Sequence, residues 1–415
     1  MNEHGHLDDE RYLLVSADGH AGPPASLYRS YLAPRYRDRF DAHQAEIDAL
    51  RALTNTTDAG FAARFEEESG DGGLLAAYDS AARVEKLDGE GVAVEVLFPD
   101  ADVLGTGRVA SSPFGSGLAS GRDNEPELVL AGARAHNRWL ADFCAEEPER
   151  RIGVAVVPIT VDIDLAVAEI RAVRDLGLRA VMIPTRWFDA PAYHDPVYEP
   201  VWATLAELGM VLHTHSGAGP ADYDVGPGFI AIYATEAYWW AARPLWVLLW
   251  SGVFERHPTL RYSIAENGAW WVPDLIRKMD EKYHGGHNTK KMGNAFREQL
   301  SMPPSAYLDR NISLGVSTPQ FEDIDRRHQI GIGNFLWGND FPHPEGTFPY
   351  TRERVRLSFK DVPVEETRRM LGLNAVDVYG IDAAALVPLV GRIGPLLSDV
   401  HGDVPLQSIP LEPAS

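Results

Sequence analysis

Cysteine is nearly absent: Cys144 is the single one in 415 residues. That excludes an internal disulfide framework and any cysteine-rich zinc site. Basic residues are scarce as well. Thirty-eight Lys and Arg stand against 60 Asp and Glu, a formal net charge of −22. Phosphate binding needs a basic face, so the balance argues against a nucleic-acid partner. It argues equally against an electrostatic membrane anchor. Long hydrophobic runs are missing too. The greasiest stretch, residues 238–254 (YWWAARPLWVLLWSGVF), is broken by Arg243 and Pro244 and falls short of the ~20 apolar residues of a membrane span. A buried helix is expected there, with a subunit interface or the wall of an apolar pocket as the alternatives. The opening MNEHGHLDDER is polar and acidic, unlike a secretory signal, so a cytoplasmic location is expected. His4 and His6 within it are discounted as ligands.

What is present is a recurring unit. Eight apolar runs end in polar residues: 13–20, 92–99, 152–158, 179–184, 209–215, 261–268, 310–317 and 335–343. Continuous Val/Ile/Leu runs suit strands covered on both faces. Helical spacing fills most of the intervals. Residues 161–176 begin near Asp162 and Asp164 and stop at Gly177, and residues 196–208 stop at Gly209, as helix termini should. Eight strands alternating with helices predict an α/β fold, a (β/α)8 TIM barrel. An open doubly wound sheet is the alternative, but DGHAGPP after the first strand is no phosphate-binding loop. The expected organisation is one barrel domain over 1–382, with an inserted helical cap in 21–90 after strand 1, a Gly/Ser-rich mobile loop at 101–125 and a C-terminal tail or arm at 383–415.

Chemistry in this architecture sits at the C-terminal ends of the strands, and polar residues gather there. Asp18 and His20 end the first strand, His213 and His215 the fifth, Glu266 and Asn267 the sixth, and Asn339, Asp340 and His343 the eighth. Alternate residues share a strand face, so each Asp-x-His or His-x-His pair can turn both side chains to one ion. Imidazole and carboxylate are the usual donors for zinc, iron or manganese. Burying several ionisable groups is costly unless they pair or bind a cation, so a metal site is expected.

The segments SADGH, RVEKLDGEGVAVEVLFP, YEPVWATLAELGMVLHTHSG, RYSIAENGAWWVPDLIRKMD, FLWGNDFPHPEGTFP and LGLNAVDVYGID resemble the amidohydrolase-related (amidohydrolase 2) family of metal-dependent TIM barrels. That group includes aminocarboxymuconate semialdehyde decarboxylase. The resemblance implies that His20, His215 and Asp340 are metal ligands. Asp18 stands where many members carry the first His or a Glu, and His343 follows the family's Asp-Phe/Tyr-Pro-His pattern. Two departures stand out. The fourth-strand run RAVMIP has no lysine to bridge two metals after carbamylation. Glu266 replaces the catalytic His of decarboxylase members and adds an anionic oxygen donor.

The full donor set (Asp18, His20, His213, His215, Glu266, Asn267, Asp340 and His343) exceeds what one tetrahedral ion requires, which leaves room for two metals. With the Asp-x-His pair, Glu266 and the long aromatic-rich chain, the closest resemblance is to the nonheme diiron monooxygenase branch of the family, the type found in platensimycin and platencin antibiotic biosynthesis. That resemblance implies an oxidoreductase with two Fe2+ per chain that hydroxylates an aliphatic carbon of a hydrophobic, diterpenoid-like substrate, with a CoA thioester among the candidates. It also implies O2, an external electron donor and a homodimer as partners, with Glu266 and His343 as catalytic residues. The alternative is a mononuclear Zn2+ or Mn2+ hydrolase or decarboxylase, in which Glu266 or His343 handles protons. Three residues are candidate substrate contacts: Trp240 in an aromatic cluster, and Lys290 and Lys291 in a basic stretch over 277–297. Core packing and a solvated surface loop are the plainer accounts of these. His136 is expected on a helix surface or in the core, and Glu95 as a satisfied structural carboxylate.

Overall fold

The computed structural model describes residues 10–54, 75–99, 125–217, 223, 226–285, 292–343 and 345–402. Eight parallel strands occur in the order β1 to β8: Leu14–His20, Val92–Phe98, Arg151–Val156, Ala180–Met182, Val211–His215, Tyr262–Ala265, Ile312–Ser317 and Phe335–Gly338. Each lies within, or one residue from, its predicted run. The circle is completed where β8 returns to β1. The amide of Asp340 donates to the Asp18 carbonyl (2.9 Å), and the amide of His20 donates to the Phe341 carbonyl (2.7 Å). The architecture is the expected (β/α)8 barrel.

Local chemistry sets the helix ends. Asp162 accepts a hydrogen bond from the Leu165 amide (2.8 Å) and caps Ile163–Asp175, satisfying one of the orphan donors of the first turn. Gly209 takes the left-handed conformation (φ 62°) that ends Glu199–Leu208, where a Cβ would be unfavourable. The run 238–254 lies mostly within one long helix, Phe229–Trp250, which contains Pro244. In its second half Ala241, Ala242, Leu245, Leu248 and Leu249 are buried, whereas Ile232, Tyr238 and Trp239 in the first half are exposed.

Two apolar layers follow from strand alternation. Leu212, Tyr262, Ile264, Leu314 and Val316 face the surrounding helices. Val94, Val154, Val211 and Ala265 pack with Val376, Tyr379, Leu386 and Val390 from the C-terminal region. Within 21–90, Tyr28, Leu32 and Phe40 pack on Leu128 and Ala135 of the helix Pro126–Ala145, and the Tyr28 hydroxyl donates to the Gly132 carbonyl (2.6 Å). Residues 383–402 form the helices Val387–Ile393 and Leu397–His401. This segment is tied to the chain start by the Tyr12 amide to Pro395 carbonyl bond (2.9 Å) and the Leu397 amide to Glu10 carbonyl bond (2.9 Å). Among the described residues, no helix is long and apolar enough to cross a membrane.

Candidate metal centre

The first and fifth strands deliver their terminal side chains to one point. Asp18, His20, His215 and Glu266 each offer a ligand atom, all within 4.8 Å of one another. A second group, His20, Asp340 and His343, shares His20 with the first, and a third joins Glu266 and Asp340 to Glu345. Asp18 Oδ1 lies 3.1 Å from His215 Nε2 and 3.5 Å from His20 Nε2. Asp340 Oδ1 lies 3.2 Å from His20 Nε2 and 3.1 Å from His343 Nδ1. Asp18, His20 and Asp340 are almost wholly buried, and Glu266 is partly open at the rim.

The surroundings orient these donors. The Nδ1 of His20 lies 2.8 Å from the Pro99 carbonyl, and the Nδ1 of His215 lies 2.7 Å from the Ser216 carbonyl. A carbonyl accepts only, so Nδ1 carries a hydrogen in both rings and Nε2 faces inward. Metal-binding imidazoles are commonly held this way. Ser317 Oγ donates to Asp18 Oδ2. Gly338 packs against the same side chain: a Cβ there would lie 2.6 Å from the Asp18 Cβ. Glu266 (φ 48°) and Asp340 (φ 55°) both hold left-handed backbone conformations, costly for residues with a Cβ and characteristic of functional sites.

Electrostatics separates the members of the cluster. Burial opposes ionisation of Asp18, but its bonds with His20 and His215 outweigh it and hold the carboxyl well below the usual range. Burial and the neighbouring His343 oppose a charge on His20, yet the Asp18 and Asp340 carboxylates prevail and raise its pKa to about 9. Burial likewise opposes a charge on His343, and Asp340 and Glu266 overcome it. Glu266 shifts the other way. Loss of solvent, then the charges of Asp340 and Asp18, push it well above the carboxylate norm.

The donor set fits a divalent cation. The His20 Nε2 and Asp340 Oδ1 atoms are buried and face each other at 3.2 Å without the alignment of a hydrogen bond. Burying such atoms unsatisfied is costly, and a shared cation would satisfy both. Asp18, His20, His215 and Glu266 form one group that could hold it, and His20, Asp340 and His343 form a second.

Not every expected donor reaches this point. His213 shares the inward face of β5 with His215 but sits one layer deeper, its Nε2 3.2 Å from the Tyr379 hydroxyl and its ring edge-on to Phe98. Burial pulls its pKa down to about 3, and it belongs to none of the metal-capable groups. Asn267 donates to Ser216 Oγ (2.9 Å) and the Tyr238 carbonyl (2.8 Å). Asn339 is held by Ser16. His136 is buried outside the cluster, with its pKa lowered by burial to about 4. Trp240 lies 4.3 Å from the Arg186 guanidinium carbon, in cation–π contact. Lys290 and Lys291 fall outside the described residues. Sequence reasoning missed Glu345 and Ser317, and gave Arg83 no role.

Comparison with known proteins gives three findings. Residues 108–381 match the family model described as amidohydrolase. A γ-resorcylate decarboxylase of Rhizobium sp. is 30% identical over 234 residues, 51% of this chain and 65% of that protein. Two solved structures share the fold. One is 5-carboxyvanillate decarboxylase from Sphingomonas paucimobilis, with 20% identity, TM-score 0.60, and 89% of this chain and 99% of that one covered. The other is 5-carboxyvanillate decarboxylase from Novosphingobium aromaticivorans, complexed with manganese and 4-hydroxy-3-methoxy-5-nitrobenzoic acid, with 17% identity, TM-score 0.61, and 92% and 97% covered. The chain spans between about half and two thirds of the length of the curated relatives it matches. These findings overturn the expected diiron monooxygenase. The relatives are decarboxylases, not members of the monooxygenase branch, so the oxidoreductase reading and its two irons are withdrawn, and the need for O2 and an electron donor goes with them.

Proposed function

The chain belongs to the amidohydrolase family, and from that premise we propose that it is a divalent-metal-dependent decarboxylase acting on an aromatic hydroxycarboxylate without an external oxidant. The observation that carries this reading is the convergence of Asp18, His20, His215 and Glu266, with Asp340 and His343 beside them, at the mouth of the barrel. The γ-resorcylate and carboxyvanillate decarboxylases among the relatives support the choice of reaction. Manganese in a related structure supports Mn2+ as the metal, with Zn2+ compatible with the same donors.

A bound divalent ion would supply positive charge to the acidic oxygens of the substrate. His20, His215, Asp18 and Asp340 would hold it and fix its position. Loss of CO2 from an aryl carboxylate requires a proton at the carbon that bears the carboxylate. The C–C bond then breaks, CO2 leaves, and its electron pair restores the ring. Glu266 is the donor in this scheme: it is the carboxyl of the group that is partly open at the rim, and burial with the charges of Asp340 and Asp18 raises its pKa, the direction that favours a general acid. The proton stays on the ring carbon, so the Glu266 carboxylate is recharged from solvent, and His343 at the rim, 3.1 Å from Asp340 Oδ1, relays that proton inward. Phe98, 4.6 Å from the His215 ring, gives the aromatic substrate an apolar wall.

The test is to load the protein with Mn2+ or Zn2+, add 2,6-dihydroxybenzoate or 5-carboxyvanillate under nitrogen, and follow CO2 release and the ring product. Anaerobic CO2 release with no oxygen gained by the ring is expected. A metal-loaded protein that releases no CO2 from hydroxybenzoates, or a product that has gained oxygen, overturns the reading.

A further inference from the structure

Behind the ligand cluster lies a charge that the reaction does not use. Arg83, in the helix Ser80–Glu90, is fully buried. Its Nε donates to both oxygens of Glu95 (2.7 and 2.9 Å), and Nη2 donates to Glu95 Oε2 (2.7 Å). A buried ion pair with bidentate geometry fixes a guanidinium in orientation as well as place. The remaining nitrogen, Nη1, donates to the His20 carbonyl (2.7 Å) and the Ala76 carbonyl (3.1 Å). The guanidinium carbon also sits 5.0 Å from the centroid of the Phe341 ring. Phe341 follows Asp340 and accepts the His20 amide (2.7 Å). Gly19 makes room for this arrangement: a Cβ there would lie 3.3 Å from Arg83 Nη2 and 3.5 Å from Glu95 Oε2.

One cation therefore grips the backbone of a ligand on β1 and braces the residue after a ligand on β8. We propose that Arg83, locked by Glu95, is a positioning residue of the metal centre: it fixes the distance and angle at which His20 Nε2 and Asp340 Oδ1 meet. This rests on the metal-site reading above. Arg151 provides the internal control. It also approaches Glu95, at 3.7 Å, and is also buried, but its nitrogens donate to Ser80 and Phe143, not to a ligand. A purely structural network predicts that losing either arginine acts alike. A positioning role predicts that only Arg83 matters to the metal.

The experiment measures Mn2+ affinity by calorimetry, and the Mn2+ electron paramagnetic resonance spectrum, for wild type, Arg83→Lys, Glu95→Gln and Arg151→Met. All are checked as folded by circular dichroism. Lysine keeps the charge but is a point donor that cannot serve the carboxylate and the carbonyl together. Arg83→Lys and Glu95→Gln should each weaken Mn2+ by about 10-fold to 100-fold, the range for disturbing groups that orient ligands, and should alter the spectrum. Arg151→Met should stay within about 2-fold, less than that orienting range. Equal affinity in folded Arg83→Lys and wild type overturns the proposal, as does equal loss in Arg83→Lys and Arg151→Met. If Arg83→Lys does not fold, Glu95→Gln decides in the same way. A wild type that binds no divalent ion sinks the underlying metal reading instead.

Discussion

The imidazoles of His20 and His343 stack at 3.9 Å between ring centroids, and both direct a nitrogen at the same oxygen, Asp340 Oδ1. Two rings that both carry raised pKa values crowd like charges together without a metal ion. An ion at this point replaces protons, since an imidazole must be deprotonated to ligate. Metal uptake at pH 7 should therefore release at least about one proton per ion. Affinity should fall as pH falls, because the metal-free state is the one that binds protons. Calorimetry in buffers of different ionisation enthalpy measures the count, and uptake with no proton release would contradict the geometry.

Removing a donor should strip the site. His215→Ala and Asp340→Ala should each weaken Mn2+ or Zn2+ by more than about 100-fold, beyond the usual effect of disturbing a ligand's partners. Trp240→Ala, whose ring packs on Arg186, should leave affinity unchanged. Equilibrium dialysis with metal analysis reads all three, and retention of a full equivalent in His215→Ala would place the ion elsewhere.

Glu266→Gln separates holding the ion from moving the proton. Gln keeps the shape and an oxygen donor but cannot give up an acidic proton. Decarboxylation should drop by about 10²-fold to 10⁴-fold, the usual contribution of general acid catalysis, while metal occupancy stays near one per chain. A variant that decarboxylates at the wild-type rate would move the proton donor to another residue, His343 first.

Acid should unfold the protein partly through two histidines remote from exchange with solvent. His213 and His136 have folded pKa values of about 3 and about 4, lowered by burial, below the ordinary 6.5. The unfolded chain binds those protons first, so stability is lost as pH falls below about 6.5, by about 1.4 kcal/mol per pH unit for each ring at most. Urea midpoints at pH 7.5 and 5.5 test this. His136→Gln should flatten the difference, and an unchanged slope would assign the acid sensitivity to the carboxylates.

The barrel was legible because parallel strands are buried on both faces and carry unbroken apolar runs. Even the three-residue β4, Ala180–Met182, shows as RAVMIP. Asp18, His20, His215, Glu266, Asp340 and His343 were legible because ionisable groups at the ends of such runs have few other uses. His213 was misplaced for a geometric reason. Alternate residues share a face but stand about 6.6 Å apart along the strand, enough to put His213 against Tyr379 and not against the ion. Ser317 escaped notice and Arg83 was given no role, because a hydroxyl and a guanidinium are not ligand types, and the ligands they touch, Asp18 and His20, lie far from them in sequence. The choice between oxygenation and decarboxylation was not written in the donors, since the same imidazoles and carboxylates serve both.

The left-handed backbone at Glu266 and Asp340 has an evolutionary corollary. Each conformer costs roughly 1 to 3 kcal/mol, which glycine would recover and asparagine would recover in part. A laboratory lineage screened for heat tolerance alone should drift to those residues at both positions and shed its catalysis on the way, so thermal fitness and turnover compete at the same two codons.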